Sequence, residues 1–573
     1  MKNSFALLAT LALVGGCQSL SAPDESTAQP AAETTPVEPQ HYASFSQESL
    51  FMLLTAELAG QRGRFDIALG NYLHQAEATR DAGVAERAYR IAEYLGVQQA
   101  ALESGLIWAE AAPDNLDAQR AAAIQLARAG RYDESLTHME NVLQRRGNTH
   151  FDFLALSAAD TDPDTRAGLL KNFARLLHKY PDNAQLLFGQ ALLLQQDGRP
   201  EEALKLLDRQ PAQDDSEIAT LLLRTRLLQS VGRGNEALPL LAKGIRRHPD
   251  DKRLRLAEAR LLVDQQRLDD AKQAFARLLE QYPDDDDLRF SLALVCMEAQ
   301  DWQEARELLQ QLLRNETHVD AAHLHLGRVH EELGESEQAL DEYRQVGPSN
   351  EFLPAQVRQS NILFSSQRSD EAARRLRGAR SDQPEYAIQL YLIESEAWAK
   401  HQQPARASRL IEQALKEFPN DLSLLYTRAM LAEKRGDLPQ LEKDLRFILE
   451  REPDNAMALN ALGYTLADRT TRYAEAKVLI EQAHQLNPED PAILDSLGWV
   501  NFRLGNLDEA ERLLRRALER FADAEVAAHL GEVLWVRGKQ AEARKVWAAA
   551  LENEPGSPIL RDTLQRLTGS TRP

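Results

Sequence analysis

The sequence predicts an all-α fold, a solenoid of repeated helix pairs, and three regularities predict it. A ladder of mostly small residues runs Ala68, Ala101, Ser135, Leu169, Ala203, Ala237, Ala271, Ala305, Ala339, Ala372, Ala407, Leu441, Ala476, Ala510, Ala543, every step being 33, 34 or 35 residues. Gly recurs five residues before a rung, as at Gly63, Gly130, Gly232, Gly334 and Gly538, and Pro twelve after it, as at Pro181, Pro249, Pro283 and Pro488. From Leu50 onward apolar residues fall at helical spacing, and no stretch alternates as a strand does. Self-similarity at such a period is the signature of stacked supersecondary units.

The chain begins with Lys2, an apolar run Phe5 to Gly16, and then Cys17. A bilayer needs roughly 20 apolar residues, so the run is too short to cross one. A positive start, a short apolar middle and small residues at the end are the anatomy of a secretory signal. Val14-Gly15-Gly16-Cys17 resembles the bacterial lipobox, whose cysteine is acylated, with chains such as palmitate, and becomes the new N-terminus. The resemblance implies a signal peptide over residues 1–16 and lipid attachment at Cys17. Gln18 stands where Asp would retain such a protein at the inner membrane, which implies the outer membrane, facing the periplasm. Residues 17–44 are rich in Pro, Ser, Thr, Ala and Glu and hold almost nothing to bury, so a disordered tether is expected. The second cysteine, Cys296, lies in an apolar stretch and is expected to be a buried small hydrophobe.

Each rung fits one helix pair. A first helix ends near the Gly, which tolerates a left-handed turn. The second carries the rung residue where the two helices must approach, with a large apolar residue four further on, such as Tyr343 or Trp547. It ends near the Pro, and a following Asp or Asn caps the next helix, as in "YPDN" and "HPDD". This pattern is identified as that of the tetratricopeptide repeat, over residues 50 to 567. The resemblance implies a right-handed superhelix, with about fourteen repeats over 45–555 and a capping helix and tail over 556–573. The stretches Gly147–Gly168 and Gly347–Arg368 are expected to form distorted pairs.

Composition excludes several functions. A formal charge of −21 repels phosphate backbones, so no nucleic acid is expected. No nucleophile motif, phosphate loop or zinc signature is present, so no enzyme, cofactor, metal or small-molecule substrate is expected. His323 and His325 stand two apart on a helix and point differently, and the acids of "PDDDDLRF" read as caps.

Function is then expected on surfaces. In the repeat family the inner face is lined by the second, fifth, ninth and twelfth positions of each first helix. Carried onto this chain, those positions include Phe290, Leu294, Met297, Arg328, Tyr426, Met430, Trp499, Phe502 and Trp535, with charge from Arg260, Glu331 and Glu532. These side chains either pack against neighbouring first helices or line a semi-apolar groove for a protein segment. Taken whole, the chain is similar to lipoproteins that serve as adaptors for periplasmic carboxyl-terminal processing proteases. That likeness implies partners: the protease and its substrates, cell-wall cross-link hydrolases. The alternative is a structural component of an envelope machine, in outer-membrane barrel assembly, pilus secretion or polysaccharide export.

Overall fold

The computed structural model of the chain describes residues 46–145, 147, 149–209 and 217–573. Cys17 and the tether lie outside the described residues. Within them all regular structure is helical: thirty-one α-helices and one short 3-10 turn. The chain divides into two compact units, Met1–Gln210 and Pro211–Pro573.

The ladder is the axis of both units. Its rungs are buried almost without exception to zero exposure, from Ala68 through Ala305 to Ala543. Opposite them, twelve residues earlier, stands the small residue of the first helix. A Cβ added to Gly498 would come within 2.6 Å of Leu514 Cγ, and one at Gly327 or Gly531 would run into the ring of Tyr343 or Trp547. Small residues there let the large side chain four past the rung lie flat against the partner helix. That is the packing reason for two of the sequence regularities at once, the small rung and the large residue four past it.

The turns are equally local. Gly63, Gly130, Gly232, Gly334 and Gly538 all sit at positive φ, between 72° and 78°. Where the sequence lacks Gly, the turn persists in left-handed form on Gln266, Gln300, Gln367 and Gln402, with φ from 58° to 61°. Such a conformation costs a non-glycine residue about 1 kcal/mol or more, so packing on either side of the turn dictates its shape. The caps also form: Asn183 accepts from the Leu186 N–H at 2.9 Å and Asp285 from the Leu288 N–H at 3.0 Å.

The first unit holds the pairs of Ala68, Ala101, Ser135, Leu169 and Ala203. The Leu169 pair is irregular: its first helix, Phe151–Ser157, has seven residues, and its second, Pro163–Lys179, has seventeen. Phe151 and Phe173 meet edge to face at 5.5 Å and bury against Gly189 of the next pair. The second unit holds ten pairs, from Ala237 to Ala543, and a final helix, Pro558–Thr568. There the Gly347–Arg368 stretch departs from expectation. The helix before it is trimmed to Ser336–Gln345, and Phe352–Ser365 then forms a full first helix. The irregular residues are absorbed in the connection, where Val346 is buried and the Asp320 carboxylate accepts from the Gly347 N–H at 2.8 Å.

Candidate functional site

In the second unit first helices of successive pairs touch one another at several steps, as Ala456–Arg469 does with Pro491–Arg503 and Ala387–Lys400 with Leu422–Lys434. Among the described residues no two second helices of this unit are in comparable contact. The layer of first helices is therefore the inner side of the stack. Each of its helices carries a side chain one residue past the small contact position, and the unit uses that side chain in two different ways.

At the C-terminal end it is consumed by packing. Trp499 is only 6 % exposed; its indole stacks on the His529 ring at 4.1 Å and meets Phe502 at 5.1 Å. His529 Nδ1 lies 3.0 Å from both oxygens of Asp495. The Tyr464 hydroxyl donates to Glu525, reaching from Ala456–Arg469 to Ala524–Val536 across the helix between them. Arg566 of the final helix donates to Glu532 at 2.7 Å. Trp535 is half-buried, 5.8 Å from Trp547, with the Arg544 guanidinium over its ring at 5.2 Å. Of the residues expected on a groove, Trp499 is thus core, and Phe502 and Trp535 are largely so.

The His529–Asp495 pair has a pH consequence. Burial alone pushes the imidazole's pKa down, but Asp495, with Glu525 and Asp468 beyond it, outweighs this and holds it above the ordinary value. A raised folded pKa means the stabilisation is complete below the unfolded value of about 6.5 and is lost as pH rises through the folded one. Hydrogen-exchange protection of residues 524–536, corrected for intrinsic rates, should therefore fall as the medium turns alkaline. His529→Gln should remove that dependence; an unchanged slope in the variant would place its origin elsewhere.

Further back the inner side chains stay partly open. Phe290 is half-buried, stacked on His318 at 5.0 Å and edge-on to His325 at 5.5 Å. Burial, then the Arg328 charge, pushes the His325 pKa down to about 4, so it is neutral near pH 7. Leu294 is 36 % exposed and Arg328 is exposed, whereas Met297 is 7 % exposed and belongs to the core. Tyr426 and Met430 are half-buried, and burial raises the pKa of the Glu433 carboxyl beside them. Three of the four acids of "PDDDDLRF" are occupied: Asp285 caps a helix, Asp286 pairs with Arg289, and Asp287 lies 2.9 Å from His318. Among the described residues no group of three or more His, Cys, Asp or Glu is placed to hold a metal ion.

The structure thus brings Phe290 against His318 and His325, and separately packs Trp499 against Phe502 and Trp535 against Trp547. Sequence reasoning missed Asp495, His529 and the Tyr464–Glu525 link. The last joins residues 61 apart, beyond any repeat period, so no local signal marks it.

Such a layer offers graded apolar and charged surface, suited to holding a polypeptide. Sequence models of the tetratricopeptide repeat match residues 116–141, 170–217, 222–286, 256–316, 290–350 and 470–532. The TPR repeat-containing protein PA4667 of Pseudomonas aeruginosa is 64 % identical over 579 residues, covering 100 % of this chain and 98 % of the relative. Human tetratricopeptide repeat protein 7A is 31 % identical over 173 residues, 30 % of this chain and 16 % of its own length. The crystal structure of yeast Tom70 aligns over 91 % of this chain and 95 % of its own, at 14 % identity and a TM-score of 0.34. With a relative matched end to end and helix pairs of the same period in both units, the chain belongs to the tetratricopeptide-repeat family.

Proposed function

We propose that the protein is a lipid-anchored, non-catalytic scaffold of the outer membrane, facing the periplasm, and that it serves as adaptor to a carboxyl-terminal processing protease. One observation carries the binding role. The inner layer of the second unit leaves Leu294 and Arg328 exposed, and Phe290, Tyr426 and Met430 half-covered, while the ladder residues are wholly buried. The anchor rests on the lipobox at Cys17, and the tether over residues 17–44 frees the body from the membrane surface. An adaptor acts by raising the local concentration of a substrate beside its enzyme, or by assembling the active enzyme, and both need two binding surfaces. Two units of stacked pairs provide room for them.

The test is reconstitution. Alone, the purified chain should leave a cell-wall cross-link hydrolase intact; with the cognate processing protease it should accelerate its cleavage. A protease that runs equally fast without the chain, and does not bind it at micromolar concentration, would reject the adaptor role in favour of an assembly component of an envelope machine.

A further inference from the structure

Building on the binding role proposed above, we infer that the inner layer of the second unit holds an extended acidic segment of a partner polypeptide along a row of three unpaired arginines. Arg226, Arg260 and Arg328 follow directly after the small contact residues Thr225, Ala259 and Gly327 of their helices, so they hold one register on three helices of this layer. All three are exposed. No ion pair or hydrogen bond of their guanidinium groups is formed among the described residues.

With 88 acids against 67 bases, many exposed arginines of the chain find a carboxylate. What sets these three apart from others without one among the described residues, such as Arg314, Arg374 and Arg377, is their shared register on one layer. Three acids of these helices are already engaged. Asp264 accepts from Gln229 at 2.6 Å, Asp287 meets His318 at 2.9 Å, and Glu331 accepts from the Tyr343 hydroxyl and faces Arg358 at 3.6 Å. The row therefore presents positive charge on a strongly negative body. At the equivalent position of the helix between Arg260 and Arg328 stands Leu294, 36 % exposed, with Phe290 one turn before it. The surface reads cation, cation, apolar, cation.

A complementary occupant follows from spacing. Closely packed helices lie roughly 8–10 Å apart, and those bearing Arg260, Leu294 and Arg328 approach less closely than that, so each step is taken as about 10 Å; an extended chain advances about 3.3 Å per residue. Acidic side chains about three and then about six residues apart, with an apolar residue in the wider gap, would meet the row. Guanidinium groups favour carboxylates through paired N–H donors, which gives such a segment orientation as well as attraction.

The experiment uses the full chain and labelled synthetic peptides of about twelve residues that carry Glu at those intervals and Leu in the gap. Fluorescence anisotropy should show binding that weakens with added salt. The triple variant Arg226→Ala, Arg260→Ala, Arg328→Ala should bind roughly tenfold more weakly with unchanged helical content. Arg314→Ala, exposed on a second helix, should bind as the parent does. Reversing the three to Glu should transfer preference to the peptide with Lys in place of Glu. Equal binding of the Gln-substituted peptide, or a triple variant that binds as tightly as the parent, overturns the proposal. So does retention of dextran sulfate without the peptide, which would assign the row to an anionic glycan. No protease takes part, so these outcomes are independent of whether the adaptor role holds.

Discussion

Glu394→Ala will destabilise the second unit by about 3–5 kcal/mol, the range for removing one partner of a buried ion pair. Glu394 lies on Ala387–Lys400, and its side chain is 4 % exposed. It accepts from Arg380 Nη1 at 2.8 Å, whose side chain is 8 % exposed, and from Trp398 Nε1 at 3.2 Å. The guanidinium carbon also sits 4.1 Å over the Tyr391 ring, so Arg380 cannot swing out to water without abandoning that contact. Removing the carboxylate leaves a buried cation and an orphaned indole N–H together. Glu394→Gln keeps acceptors for both and should lose less. Replacing both partners by apolar residues of similar volume should recover most of the loss, because two desolvation penalties vanish with the pair. Denaturation by urea, followed through the tryptophans, checks the order; a single Ala variant no worse than Gln would show that the charge is not what the site needs.

The second large effect is expected at Trp547. It is fully buried between the last two helix pairs and the final helix, and its ring lies where Gly531 has no Cβ. Truncating a buried Trp to Ala costs roughly 3–5 kcal/mol through lost transfer energy and the cavity left behind. Trp547→Phe should behave differently. The indole Nε1 is buried without an acceptor, so Phe removes an unpaired donor along with some volume, and the loss should be well under that of Ala. Repeats couple mainly to their neighbours. Loss of hydrogen-exchange protection in Trp547→Ala should accordingly concentrate in residues 507–568, leaving 217–345 near their original protection. Uniform loss across the unit would contradict a stack of pairwise contacts.

These sites also mark where the sequence is legible and where it is not. Ladder, turn and cap are legible because each reports a contact made within one period: Ala510 against Gly498, Gly538 at its turn, Asp285 on Leu288. Even the missing glycines mislead little, since Gln266 and Gln300 adopt the same left-handed turn under pressure from both helices. The state of the inner layer is not legible. Trp499 and Arg260 occupy equivalent positions, yet one is sealed and the other bare. The difference lies in how closely successive first helices approach, which the Tyr464–Glu525 link tightens from two helices away. Residue type at a repeat position tells which way a side chain points, and only the curvature of the stack decides whether anything is waiting there.

The final helix has a consequence that reaches beyond one molecule. An array of like units is one translation short of a filament, because any surface that fits the preceding unit also fits the end of another chain. Pro558–Thr568 buries Leu560 and Leu564 inward and turns Arg561, Asp562, Gln565 and Arg566 outward. It occupies the site where a further unit would nucleate and presents water-loving groups in its place. In polymer terms it works as a chain stopper: a further unit stacked on this helix would meet charged and amide side chains where an apolar face is needed.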